Sequence, residues 1–231
     1  GKQIGQSLLT QYRMVKPIGD LVSKCFYEGL LETGRENECK DLKFEGKSFD
    51  KAVTWIDTSS EGENSLEKKP NYTNANKHSV INEFEAEVII RLIQNLTSNS
   101  NIESRFENGS QEDSPIGVIC MYAEQQKQMI RKINSLSWTR TLLEKRLLKI
   151  DTVDSYQGKE NDIIILSLVR NNKRFIEGFV SSENRANVAL SRAKEKLFIV
   201  GASHMWSERN NTSAFGRVLK HIKSNLFKLS L

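Results

Sequence analysis

Two apolar rhythms alternate along the chain. One recurs every three or four residues, as in Ile18, Leu21, Val22, Cys25 and Phe26 of "PIGDLVSKCFYEGLL", where Pro17 suits a first helical turn. It returns in Val88, Ile89, Leu92, Ile93 and Leu96 of "NEFEAEVIIRLIQNL", a helix whose start is marked by Asn82 with Glu85 three residues on. It predicts further helices over "AEQQKQMIRKINSL", Trp138 to Leu148, "RANVALSRA" and the basic, amphipathic "SAFGRVLKHIKSNLF". The other rhythm is the unbroken run: "AVTWID" with its strand at Val53 to Asp57, then "IGVICM", "IIILSLV" and "KLFIVG". Such strands have no polar face, so they predict a parallel sheet covered on both sides by helices, a single doubly wound α/β domain. Ligands of such sheets are expected at the carboxyl ends of the strands. Polar stretches near 33–51, 59–79 and 97–115 interrupt the pattern and read as exposed excursions.

A chain of 231 residues, 38% hydrophobic and 27% charged, can bury a sizeable core. No apolar run approaches the ~20 residues of a membrane span, so no membrane partner is expected. The beginning, "GKQIGQSLLTQYRM", has no signal-type apolar segment and no initiator Met, and reads as part of a longer protein. Cys25, Cys39 and Cys120 form no metal-type spacing, which predicts free thiols in an intracellular compartment, cytoplasmic or nuclear. A net charge of +5 permits a nucleic-acid partner without requiring one.

Four segments carry candidate chemistry. In "QYRM", Arg13 offers a planar fork for phosphate oxygens and Tyr12 a ring for stacking on a base; the same residues also read as a surface Arg over a packed Tyr. In "VICMYAEQQKQM", Tyr122 and Gln125 stand where a strand gives way to a helix, as phosphate-backbone contacts or as ordinary capping residues. In "DTVDSYQGKENDIIILSLVRNN", Thr152, Asp154, Gln157 and Glu160 precede a buried strand, and Gly158 permits a tight turn. Glu160 can accept ribose hydroxyls; the bland alternative is a polar strand-loop-strand turn. In "ENRANVALSRAKEK", Arg185 and Arg192 lie seven apart, on one side of a helix if the helix spans both. Such an arginine can stabilise a transferred phosphoryl group, or simply pair with Glu183 or Glu195.

In this order the segments resemble the second RecA-like domain of superfamily 1 helicases, in the group that includes the helicase of nonsense-mediated mRNA decay. "QYRM" before "KPIGDLVSKCFYEGLL", the helix start at Asn82, Glu85 and Ala86, "VDSYQGKENDIIILS" as motif V, and "NVALSRAK" as motif VI carry the likeness, from Gln11 to about Gly201. The resemblance implies a P-loop NTPase fold and ATP with Mg²⁺ as cofactor. It implies that Arg192 is an arginine finger and that Arg13 joins it at the γ-phosphate. Tyr12 then stacks on adenine, Glu160 holds the ribose, and Gln157 and Gly158 couple nucleotide to nucleic acid. Tyr122, Thr152 and Ser155 touch the backbone of single-stranded RNA or DNA. The chain departs from the family where Val15 and Lys16 follow "QYRM", and where Ser182 and Asn184 leave Arg185 without a paired arginine.

No GxxxxGK[ST] phosphate loop and no metal-binding Asp-Glu pair occur in the sequence. The resemblance assigns both to an N-terminal RecA-like domain of the same protein, so these residues by themselves are expected not to hydrolyse ATP. A non-catalytic nucleic-acid or partner-binding module on the same fold is the alternative.

Overall fold

The computed structural model describes residues 9–35, 51–71, 79–98, 114–207 and 209–222, together with the backbone of 226–228. The strands are β1 (Thr10–Gln11), β2 (Glu32–Thr33), β3 (Val53–Asp57), β4 (Ile116–Cys120), β5 (Leu148–Thr152), β6 (Asn161–Ser167), β7 (Ala193–Gly201) and β8 (Leu226–Lys228). The α-helices are α1 (Lys16–Phe26), α2 (Glu83–Thr97), α3 (Ala123–Ser135), α4 (Ser137–Glu144), α5 (Glu183–Leu190), α6 (His204–Ser207) and α7 (Ala214–Ile222). Among the described residues, six strands form one parallel sheet in the order β5-β4-β6-β7-β3-β8, and β1 pairs with β2 apart from it.

The apolar strands alternate between two cores, which is why they lack a polar face. Ile164 and Leu166 of β6 and Leu197 and Ile199 of β7 face α1, α5, α6 and α7. Ile163, Ile165, Phe198 and Val200 face α2, α3 and α4. Trp55 anchors the first core, edge-on to Trp206 at 5.8 Å, with its indole N–H donating to the Gly201 carbonyl at 2.8 Å. The Asn82 cap of α2 holds: its side chain accepts from the Glu85 N–H at 3.0 Å. Cys25 and Cys120 are buried free thiols, as expected; Cys39 lies outside the described residues. Among the described residues no helix is long and apolar enough to cross a membrane.

Four expectations need correction. The helix expected over Trp138 to Leu148 ends at Glu144, and Leu148–Thr152 is the edge strand β5, paired with β4. The last helix stops at Ile222, and Leu226–Lys228 adds a strand beside β3. Helix α5 ends at Leu190, because from Ala193 onward the chain is pulled into the sheet. The stretch 59–79 is no simple excursion where it is described: Ser59–Ser65 forms two short 3₁₀ turns that kink at Gly62, with Ser65 buried, and Lys68 bridges to Ile81. The remaining polar stretches lie mostly outside the described residues.

The segment 153–160 runs from the carboxyl end of β5 to the amino end of β6, down the face of β4, with Val153 and Tyr156 buried beneath it. Tyr156 passes over Gly117, where an added Cβ would stand 2.1 Å from its hydroxyl. That hydroxyl donates to Asn161 Oδ1 at 2.8 Å. Gly117→Ala should therefore displace the ring and cost about 1–3 kcal/mol. For a domain of this size that lowers Tm by roughly 3–10 °C in a thermal melt; an unchanged Tm would show that the ring does not depend on this gap.

Candidate functional site

Polar side chains gather at both edges of the sheet, and the segment 153–160 joins them. At the amino ends of β6 and β7 the turn Gln11–Met14 is folded by Gln11. Its Oε1 accepts from the N–H groups of Arg13 (2.9 Å) and Met14 (2.8 Å), and its Nε2 donates to Thr33 Oγ1 at 2.9 Å. The Val15 N–H then donates to the Lys194 carbonyl at 2.9 Å, docking the turn at the start of β7. Arg13 is thereby delivered to Glu160: its Nε donates to Glu160 Oε2, and its Nη1 to the Ser191 carbonyl at 3.1 Å. Lys194 Nζ lies 3.1 Å from the other oxygen, Glu160 Oε1. Burial alone would raise the Glu160 carboxyl, but the hydrogen bonds and charges of Arg13 and Lys194 prevail and hold it below the usual range.

Arg192 sits in the short junction between α5 and β7, so it does not share a helix face with Arg185. It donates through Nε to the Val188 carbonyl (3.0 Å), through Nη1 to the Lys159 carbonyl (3.3 Å) and through Nη2 to Ser191 Oγ (3.0 Å). Burial, and next the charge of Arg13, lower its pKa. Arg35 completes the cluster, donating to the carbonyls of Arg13 (2.9 Å) and Lys194 (3.2 Å) and pairing with Glu195. Four cations here meet two carboxylates, and Arg192 keeps two of its five N–H donors free of these bonds. The excess positive charge and the spare donors fit a polyanion such as a triphosphate. Among the described residues no group of three or more His, Cys, Asp or Glu could hold a metal ion.

Tyr12 is 72% exposed beside this cluster. An added Cβ on Gly34 would meet its ring at 2.4 Å, so this glycine makes room for it. Gln157 and Gly158 are exposed at a tight turn: Gln157 has φ −59° and ψ 127°, Gly158 has φ +83°, and the Lys159 N–H donates to the Tyr156 carbonyl at 3.0 Å. Those values belong to a type II turn, which requires Gly at its third position. The expectation that ligand chemistry gathers at the carboxyl ends is thus corrected for Arg13, Arg192 and Glu160. They meet at the amino ends, because the turn 11–14 and the α5–β7 junction both dock there.

The carboxyl ends hold the other group. Thr152 and Ser155 share a turn, Oγ to Oγ at 3.1 Å. Tyr122 is partly buried, and its hydroxyl accepts from the Phe179 N–H at 3.1 Å. Burial raises the Tyr122 phenol above its ordinary value. Arg185 pairs with Asp154 (Nε to Oδ1 2.9 Å), and Glu183 and Glu195 pair instead with Arg217 and Arg35. Behind this edge lies a buried polar hub. Glu85 Oε2 accepts from Ser167 Oγ and from the Val169 N–H, both at 2.8 Å, and Gln125 bonds to Asn82 N–H and carbonyl. Val169 has φ +70°, a strained value for a β-branched residue, maintained by this network.

Arg13, Glu160 and Arg192, singled out in the sequence, stand together here, and Gln11, Gly34, Arg35 and Lys194, which the sequence does not single out, join them. Of these, Gln11 and Lys194 stood inside quoted segments and lacked only a visible partner.

The chain matches a protein family described as an AAA domain over residues 1–204. It is 41% identical over 132 residues to the Schizosaccharomyces pombe "Helicase required for RNAi-mediated heterochromatin assembly 1", covering 57% of this chain and 12% of that protein. It is 30% identical over 218 residues to the Mus musculus "5'-3' DNA helicase ZGRF1", covering 93% and 10%. It is 31% identical over 200 residues to the Neurospora crassa "Regulator of nonsense transcripts 1 homolog", covering 84% and 16%. The chain therefore spans 10–16% of the length of these relatives. With the "QYRM" turn, motif V and motif VI in place on a parallel α/β sheet of the RecA-like kind, the chain belongs to this AAA-domain family and is similar to helicases.

Proposed function

We propose that residues 1–231 form the C-terminal motor domain of an ATP-dependent helicase acting on single-stranded RNA or DNA. The observation that carries this reading is the meeting of Arg13, Arg192 and Lys194 around Glu160 at one edge of the sheet. When bound, ATP with Mg²⁺ supplies the phosphoanhydride that drives the motor; its metal ligands and phosphate loop belong to an N-terminal RecA-like domain of the same protein.

Within this domain Arg192 acts as the arginine finger, turning its spare donors to the γ-phosphate oxygens and offsetting the charge that develops on them. Arg13 joins it there, held in orientation by Glu160 and the Ser191 carbonyl. Glu160 accepts ribose hydroxyls with the lone pairs left beside Arg13 and Lys194, and Tyr12 lays its exposed ring under the adenine. Gln157 and Gly158 lie next to the nucleotide on the segment whose far end carries Thr152 and Ser155. Those two residues and Tyr122 contact the strand backbone, so grip on the strand follows the state of the nucleotide. The free buried thiols suit a reducing compartment, cytoplasmic or nuclear.

The test is ATP turnover by the whole protein with single-stranded RNA and single-stranded DNA added in turn. Stimulation by at least one of them is expected. Strand binding without any turnover would overturn the motor reading in favour of a binding module.

A further inference from the structure

The carboxyl edge carries an arrangement that these roles do not use. The Arg185 guanidinium lies over the Phe179 ring, 3.6 Å from its centroid. Asp154 holds the guanidinium by two bonds, Nε to Oδ1 at 2.9 Å and Nη2 to Oδ2 at 3.4 Å. The ring beneath is itself positioned. Gly178 at φ +56° turns the chain, the Phe179 N–H donates to the Tyr122 hydroxyl, and the two rings stand 5.7 Å apart.

The stack is not part of the core: Phe179 is 38% exposed and the Arg185 side chain 34%. Asp154 neutralises the charge of Arg185, so the stack presents a flat, fixed plane more than a net positive charge. A guanidinium or aromatic plane of this kind is what unpaired bases stack on, largely without regard to sequence. The plane is also continuous with the proposed strand contacts, since Asp154 lies between Thr152 and Ser155 in the same turn.

We propose that the Arg185–Phe179 stack is a seat for one base of a single-stranded nucleic acid, the base lying on the outward face of the guanidinium. This rests on the helicase reading and extends it from backbone contacts to a base. Arg185 is the contacting residue, Phe179 supports it from below, and Asp154 is a positioning residue.

The experiment is fluorescence anisotropy of the whole protein with a labelled single-stranded homopolymer, and with a series of the same strands each carrying one abasic site. Arg185→Lys keeps the charge and the pairing with Asp154 but removes the plane. It should weaken binding roughly tenfold, as much as Arg185→Ala, with little change in salt dependence. Phe179→Ala should weaken binding in the same direction, and Phe179→Trp should restore it, which separates the ring's role from a folding defect. One abasic position should weaken the unmodified protein and leave Arg185→Lys unaffected. If Arg185→Lys binds as tightly as the unmodified protein, charge alone suffices and the seat is overturned. If no abasic position discriminates, it is overturned as well. In both cases normal binding and ATP turnover of the unmodified protein leave the helicase reading standing. If the unmodified protein binds no single strand, that reading falls and takes the seat with it.

Discussion

Replacing Arg192 by alanine in the whole protein should lower ATP turnover by a factor on the order of 10³ or more while leaving single-strand affinity within about twofold. The expectation follows from where Arg192 stands. It is held at a junction between a helix and a strand, beside Glu160 and Arg13, and three of its donors brace it against Val188, Lys159 and Ser191. A side chain braced in this way delivers its remaining donors without a large ordering cost, which is what a stabiliser of developing charge needs. The proposed strand contacts lie at the other edge of the sheet, so single-strand affinity should persist. Arg192→Lys should recover little, because an ammonium lacks the fork. A melt and a strand-binding curve establish that the variant is folded. Undiminished turnover would remove Arg192 from the chemistry.

The second large effect concerns Glu85. This carboxyl is buried, and burial pushes it up to about 8 despite the bonds from Val169 and Ser167, with Glu67 adding to the rise. The folded domain therefore holds a proton that the unfolded chain releases near 4.5. The stability tied to that proton is complete below the unfolded value and is lost as pH rises through about 8. Between pH 6.5 and 8.5 few other shifted groups intervene among the described residues. His221 is lowered and titrates below this window, Asp57 and Glu160 are lowered carboxyls, and the Cys25 and Cys120 thiols are raised above it. At about 1.4 kcal/mol per pH unit for one proton, and with the slope fading above the folded value, stability should fall by about 2 kcal/mol across the window. That corresponds to roughly 4–8 °C in Tm. Glu85→Gln keeps an acceptor for Ser167 and Val169 but has nothing to titrate, so its Tm should be nearly level over the same range. An equal slope in the variant would place the titration elsewhere.

The sheet was legible because β3, β4, β6 and β7 bury both faces and so read as unbroken apolar runs. The edge strand β5 was not. Leu142, Leu143, Leu147 and Leu148 continue a helical spacing across the boundary, and only pairing with β4 turns the last of them into strand. The Asn82 cap was legible because its partner is three residues away. The counter-ion relations were not, since Glu160 meets Arg13 across 147 positions and Arg35 meets Glu195 across 160. Arg192 stands out by its motif, but its position beyond the end of the helix is not legible, because nothing local shows that Ala193 already belongs to the sheet.

The path of residues 153–160 has one more consequence. Asp154 and Ser155 are exposed on one side of the buried Tyr156, and Gln157 and Gly158 are exposed on the other. The segment is thus two short arms on a fulcrum, and the fulcrum is seated in a notch that only a glycine leaves in β4. Both exposed pairs hang from that one ring, so a substitution that shifts Tyr156 should disturb both of them together.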